Sequence, residues 1–138
     1  MAVWVKINAL PENRTGQIFS AWAVPMDDPL RVCIEKGRLF ARIEAQQGFS
    51  TEGAGIDTGR WHHIAAVKSG SRLTLYLDGK ARGSVGVPAY INSVARSIAL
   101  GGNPNYSGNE FLAAEFAGFD FYNRVLTLEE INATAARR

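Results

Sequence analysis

Paired carboxyl groups are the first chemistry to look for in this sequence, because two acids on one strand face can hydrolyse a glycosidic bond. The two groups must lie roughly 5 to 10 Å apart, one acting as the acid and the other as base or nucleophile. Glu115 and Asp120 are five residues apart, so they point to opposite faces of a regular strand. Glu35 and Glu44 share a face but lie at different heights. We therefore predict no catalytic residues and no enzyme activity, and a glycoside hydrolase is only the third-ranked function.

The adjacent histidines His62 and His63 and the single cysteine, Cys33, are the other reactive side chains. Neighbouring residues on a strand point to opposite faces, so the two imidazoles cannot chelate one ion together. We predict structural roles for both, one packed beside Trp61 and the other hydrogen-bonded at the surface. Cys33 is expected to be a small buried residue rather than a nucleophile, because no neighbouring base or basic cluster marks it.

A hairpin from residue 30 to residue 46 must position the polar side chains that could bind a ligand. Its two-residue turn is Lys36-Gly37, so the register follows from the turn. Three cross-strand pairs then share one face: Glu35 with Arg38, Cys33 with Phe40, and Arg31 with Arg42. The opposite face is aliphatic and belongs to the core. A slip of one residue would expose this whole set to water, so the register is well specified. The aliphatic set is Leu30, Val32, Ile34, Leu39, Ala41 and Ile43.

The polar face of this hairpin is interrupted by one aromatic ring, which is typical of a sheet that binds a sugar or a partner protein. A sugar site needs an exposed aromatic platform beside planar polar side chains. The loop after residue 100 is rich in glycine and should form an exposed rim with a second such platform. The predicted ligand-binding residues are Arg31, Phe40, Arg42, Glu44 and Tyr106. Trp4, Trp22 and Trp61 lie within strand-like runs and are assigned to the core.

Short strands separated by turn residues fill the rest of the chain. Residues 17–24 are apolar on both faces, which indicates a strand in the middle of a sheet. Asp78-Gly79 closes a meander whose register stays open between a simple two-residue turn and a bulge at Gly79. Gly118 marks a bend or bulge in the last strand. Thr127 and Glu130 form a capping box that opens a helix of about two turns. The fold class is therefore all-β, with two packed antiparallel sheets and one short C-terminal helix.

Composition limits the classes of partner. The chain has 138 residues, of which 46 % are hydrophobic, so one domain can bury a core without disulfides. Its net charge of +2 is scattered along the chain, whereas a nucleic-acid-binding domain concentrates its basic residues. No apolar run approaches the ~20 residues of a membrane span, and the N-terminal residues lack the pattern of a signal peptide. We predict neither nucleic-acid binding nor a membrane span.

Five segments carry a resemblance to a known family. They are V-W-V-K at 3–6, G-R-W-H-H-I-A at 59–65, L-Y-L-D-G at 75–79, I-A-L-G-G-N at 98–103 and Y-N-R-V-L-T-L-E-E-I at 122–131. Together they resemble the laminin-G-like jelly roll of the concanavalin A-like lectin/glucanase superfamily. The resemblance implies that residues 1–138 form one jelly-roll domain, a non-catalytic module that binds a glycan or a protein surface. A structural module that assembles with other copies is the alternative.

The resemblance also raises calcium as a cofactor, although none is required. Laminin-G-like and pentraxin-like proteins often hold this ion at a rim with side-chain and backbone oxygens. The candidate ligands are Asp57, Asn103, Asn105, Asn109 and Glu110, where Asp57 belongs to a second loop that could adjoin the first. Ordinary turn residues are the favoured interpretation, because only one acid lies in the main loop.

The family usually has a further strand before V-W-V-K, and this chain begins at that element. A sheet edge left uncovered is a template for pairing with another chain. We therefore expect either a homodimer joined along strand edges or a chain whose first strand is not included. The resemblance favours an extracellular or cell-surface location, and the alternative is cytoplasmic.

Overall fold

Two antiparallel sheets pack face to face in the computed structural model, which describes residues 1–103 and 105–137. The strands are β1 (Ala2–Ala9), β2 (Gly16–Trp22), β3 (Leu30–Glu35), β4 (Arg38–Glu44), β5 (Gly48–Ser50), β6 (Ala54–Gly55), β7 (Trp61–Ser69), β8 (Arg72–Leu77), β9 (Lys80–Gly86), β10 (Ser97–Leu100) and β11 (Ala113–Asp120). The helix α1 is Leu128–Ala135. Sheet A has the order β11-β1-β7-β8-β9, and sheet B has the order β10-β2-β3-β4-β5 with β6 beside β4. The all-β prediction is confirmed.

The β3–β4 hairpin has the predicted register. Arg31 pairs with Arg42, Cys33 with Phe40 and Glu35 with Arg38. The side chains of Val32, Ile34, Leu39, Ala41 and Ile43 are at most 1 % exposed in the core between the sheets. The period of two along each strand and the turn at Lys36-Gly37 therefore suffice to direct one polar face outward.

The β7–β8–β9 meander has a register that the sequence alone left open. Asp78 and Gly79 both have positive φ angles, 53° and 74°, as a tight hairpin turn requires. Leu77 pairs with Lys80 and Tyr76 with Ala81, but Leu75 pairs with Gly83. The extra residue is thus Arg82 in β9, not Gly79, so the turn stays regular and the strand after it absorbs the shift.

The C-terminal helix covers the outer face of sheet A. Its capping box is confirmed, because the Thr127 side chain accepts from the Glu130 amide while the Glu130 carboxylate accepts from the Thr127 amide. Ile131 is fully buried against Ala2 and Ala65 of the sheet. Gly118 in β11 has a φ of 55° at a register shift opposite β1, so the predicted bulge is also present. Within the described residues, no helix is long and apolar enough to cross a membrane.

The assignment of Trp4, Trp22 and Trp61 to the core was wrong. All three are partly exposed, because their strand positions alternate with those of the core side chains and so point away from the opposite sheet. The histidines also differ from the expectation of one surface ring, since both are only 1 % exposed. His62 Nδ1 lies 2.9 Å from Asp78 Oδ2, and His63 packs edge-on against Trp4 with ring centroids 5.4 Å apart.

Candidate functional site

The outer face of sheet B gathers most of the predicted site residues, and we call it the polar face. It is formed by outward-pointing side chains of β2, β3 and β4, and the described residues of the segment 101–112, namely 101–103 and 105–112, fold over part of it. Ser20 Oγ donates to the Gly102 carbonyl at 2.8 Å, and the Gln17 amide donates to the Glu110 carbonyl at 2.9 Å. These bonds attach the segment to the sheet. Polar side chains from four parts of the chain therefore meet on one surface.

Arg31 is at the centre of the polar face. Its Nη1 lies 3.1 Å from Glu44 Oε1 and its Nη2 lies 3.1 Å from Glu110 Oε1. The arginine side chain is 12 % exposed, Glu44 16 % and Glu110 12 %, so the three charges are largely removed from water. Glu110 Oε2 also accepts from Gln17 Nε2 at 3.0 Å and Asn103 Nδ2 at 3.2 Å. Two predicted calcium ligands thus join two predicted ligand-binding residues in a single network.

A stacked pair of planar groups lies beside this network. The Arg42 guanidinium is centred 5.1 Å from the Phe40 ring, and it pairs with the Glu35 carboxylate. Gly53 lies against the edge of the ring, because a Cβ added there would be 2.6 Å from Phe40 Cζ. Phe40 therefore lies between Gly53 and the Arg42 guanidinium, and both Phe40 and Arg42 are partly exposed.

The rim residues are distributed around this face. Tyr106 is 50 % exposed, its amide donates to the Asn103 carbonyl at 3.2 Å, and its ring packs against Gly108 of the same segment. The Asn105 amide group donates to Ser97 Oγ on β10, and Asn109 Oδ1 accepts from the Phe111 amide at 3.1 Å.

Asp57 stands apart from the rim residues. It forms an exposed ion pair of 2.8 Å with Arg60, in the connection between β6 and β7. Among the described residues, no group of three or more His, Cys, Asp or Glu side chains could hold a metal ion. The predicted set of calcium ligands is thus divided, and calcium at the rim stays a prediction. Melting temperatures measured in CaCl₂ and in EDTA would test it, since an ion that binds only the folded state raises the melting temperature.

Burial changes the ionisation of two groups at this face. It raises the pKa of the Cys33 thiol to about 11, so this residue is no nucleophile at neutral pH. It also raises the pKa of Asp28, which is 1 % exposed and accepts from the Ala23 amide at 3.1 Å. Two buried atoms of the network, Gln17 Oε1 and Arg31 Nε, have no hydrogen-bond partner among the described residues. The described residues therefore do not fully satisfy the hydrogen-bonding groups of the network.

Comparison with known proteins identifies the family. A laminin G family model of the concanavalin A-like lectin/glucanases superfamily matches residues 1–132. The chain belongs to this superfamily. No curated protein sequence matches it at a significant level.

Solved structures share the superfamily fold at low sequence identity. A Trypanosoma rangeli sialidase in complex with sialic acid is 18% identical with a TM-score of 0.73, over 97% of this chain and 22% of that chain. A heptameric SAP-like pentraxin from Limulus polyphemus is 20% identical with a TM-score of 0.69, over 98% and 68%. Botulinum neurotoxin type C, whose cell entry depends on two ganglioside molecules, is 14% identical with a TM-score of 0.71, over 97% and 34%. The chain thus spans about a fifth of the sialidase and a third of the toxin chain, and the likeness shows the fold alone.

Sequence reasoning missed three residues that this superfamily member places on the polar face: Gln17, Ser20 and Trp22. Their strand was interpreted as apolar on both sides. A register shift between Gln17 and Phe19 breaks the period of two, so Gln17 and Ser20 point outward although they are three residues apart. Trp22 follows Ser20 on the same face, next to Ser97 of β10. The presence of two polar residues, Gln17 and Ser20, in an otherwise apolar run was the signal that this strand has a polar outer face.

Proposed function

We propose that this domain binds carbohydrate through the polar face and does not catalyse a reaction. The observation that carries the proposal is the planar stack of Arg42 on Phe40 beside the hydrogen-bonding network of Arg31. Sugars present flat C–H faces to planar groups and hydroxyl groups to carboxylates and guanidinium groups. Two further aromatic side chains, the partly exposed Trp22 and the half-exposed Tyr106, flank the same surface.

The position of Arg31 favours binding over hydrolysis. Glu44 and Glu110 approach each other on the polar face, which is the kind of acid pair that a glycoside hydrolase uses. Here the guanidinium of Arg31 lies between them and bonds to both at 3.1 Å. A glycosidic oxygen would need to occupy that space. We infer that the acids hold the segment 101–112 on the sheet and offer acceptors to a ligand.

The structural neighbours agree with this proposal without establishing it. One was solved with sialic acid, and the cell entry of another depends on interaction with two ganglioside molecules. This chain matches about a fifth and a third of those proteins, so they support the proposal through the shared fold alone. A glycan ligand would also agree with an extracellular or cell-surface location. A recognised protein surface is the other ligand class that this face could accept.

A glycan array with matched aromatic variants tests the proposal. The wild type should bind a defined class of glycan, and Tyr106→Ala and Phe40→Ala should each weaken binding about tenfold, as expected when a stacking contact is removed. Tyr90→Ala is the control, because Tyr90 is 86 % exposed in the connection between β9 and β10. Absence of any glycan hit, or equal loss in the control, would contradict the proposal.

Self-association is a second candidate function, favoured by the open side of the sandwich. Because β5 lies near β9, the edge strands β10 and β11 form the opposite side. Lys80 and Arg82 protect the β9 edge, whereas Ile98 on β10 is 55 % exposed. A mainly apolar cavity of about 480 Å³ opens beside Ile98, Phe121 and Val125. We propose homodimer formation along these edges, which light scattering at several protein concentrations would test; a single-chain mass throughout would contradict it.

A further inference from the structure

We propose, resting on the proposed function, that the glycan bound at the polar face is uncharged. The polar face carries equal numbers of arginine and glutamate side chains. They are Arg31, Arg38, Arg42, Glu35, Glu44 and Glu110. These six side chains sum to a formal charge of zero, and burial raises the pKa of the neighbouring Asp28 carboxyl.

The arginines at the centre of this face are already engaged by carboxylates. Arg31 bonds to Glu44 and Glu110 through its two terminal nitrogens, each at 3.1 Å. Arg42 pairs with Glu35 and donates to Ser50 Oγ at 3.1 Å. To reach the Arg31 or Arg42 guanidinium, the carboxylate of a sialic acid or a uronic acid would have to displace one of these glutamates. It would also approach the displaced carboxylate, and such like-charge contacts are strongly unfavourable. Arg38, which is exposed and donates to the Gly53 carbonyl, lies outside these pairs.

An uncharged sugar meets no such barrier. A carboxylate has about four lone-pair sites, and Glu44 uses only Oε1 for Arg31 in this structure. A sugar hydroxyl can donate to Oε2 while a neighbouring hydroxyl accepts from an Arg42 N–H, so both existing ion pairs stay intact. Because the charges remain paired, binding should change little with ionic strength.

One substitution should weaken this preference. Glu35 is 34 % exposed and is the carboxylate paired with Arg42, so Glu35→Gln leaves that guanidinium without its counter-charge. The variant should gain affinity for acidic sugars by about tenfold relative to the wild type. Glu115→Gln is the matched control, because Glu115 is paired with Lys6 on the outer face of sheet A at 2.8 Å.

A glycan array containing neutral oligosaccharides and their sialylated derivatives, read at low and high NaCl, separates the outcomes. We predict that the wild type binds neutral oligosaccharides at least about tenfold more strongly than their sialylated derivatives. Glu35→Gln should reduce this ratio of affinities, and Glu115→Gln should leave it unchanged. Stronger binding of sialylated members by the wild type would overturn this inference while leaving the proposed function intact. Binding to neither class would overturn both.

Discussion

Among substitutions on the polar face, removal of Arg31 should lower the free energy of unfolding most. In an Arg31→Met variant, Glu44 and Glu110 would face each other without their shared cation, in side chains that are 16 % and 12 % exposed. Breaking a fully buried ion pair costs about 3–5 kcal/mol, and residual solvent contact places this case near the lower end, at about 3 kcal/mol. For a domain of this length, such a loss lowers the melting temperature by roughly 10 °C.

A second substitution tests whether repulsion between the two carboxylates causes the loss of stability. Adding Glu110→Gln to Arg31→Met removes one of the two facing carboxylates, so the double variant should recover about 1 kcal/mol relative to Arg31→Met. Urea unfolding with an unchanged dependence on denaturant provides the measurement. Arg60→Met is the control, because its ion pair with Asp57 is more than 60 % exposed on both sides and should contribute less than about 1 kcal/mol. A loss below about 1 kcal/mol for Arg31→Met, or a double variant less stable than the single one, would refute the reasoning.

Three further predictions concern single groups. Burial lowers the pKa of His63 below its ordinary 6.5, so the unfolded state binds the proton more readily and the free energy of unfolding should decrease as the pH falls through 6.5. Burial also lowers the pKa of the Met1 amino group to about 6, so this group contributes a pH dependence of the same sign. The measurement is therefore a comparison of variants: the free energy of unfolding should depend less on pH in His63→Gln than in wild type. Thr127→Ala should cost about 1 kcal/mol in urea unfolding, because the helix cap loses its acceptor; no loss would mean that the cap is not stabilising. Cys33 should react with a thiol reagent at pH 8 only after denaturation, and rapid labelling of the native protein would contradict its burial.

Local patterns were sufficient for the parts of the fold whose partners are close in sequence. The β3–β4 hairpin follows from a two-residue turn and a strict period of two, so its pairing and both of its faces were predicted correctly. The helix start followed from Thr127 and Glu130, which are only three residues apart. In both cases the partner atoms belong to one short segment, and backbone geometry determines their contact.

The candidate site was predicted only in part, because its network joins distant segments. Arg31 and Glu110 are 79 residues apart, and nothing in their local sequence indicates that they form an ion pair. The loop containing Glu110 was interpreted as an exposed rim, whereas the carboxylate turns inward to Gln17. Trp22 lies on the outer face of β2 beyond a bulge, whereas its place in an apolar run had suggested a core position.

Amide chemical-shift mapping by NMR tests most directly whether the polar face binds a glycan. Neutral and sialylated oligosaccharides would be titrated into the labelled protein. We predict that a neutral oligosaccharide shifts the amides of β3, β4 and the described residues around Tyr106, with little change on β7 and β8. Shifts centred on the cavity beside Phe121, or no shifts with any oligosaccharide, would contradict the assignment of this face as the binding site.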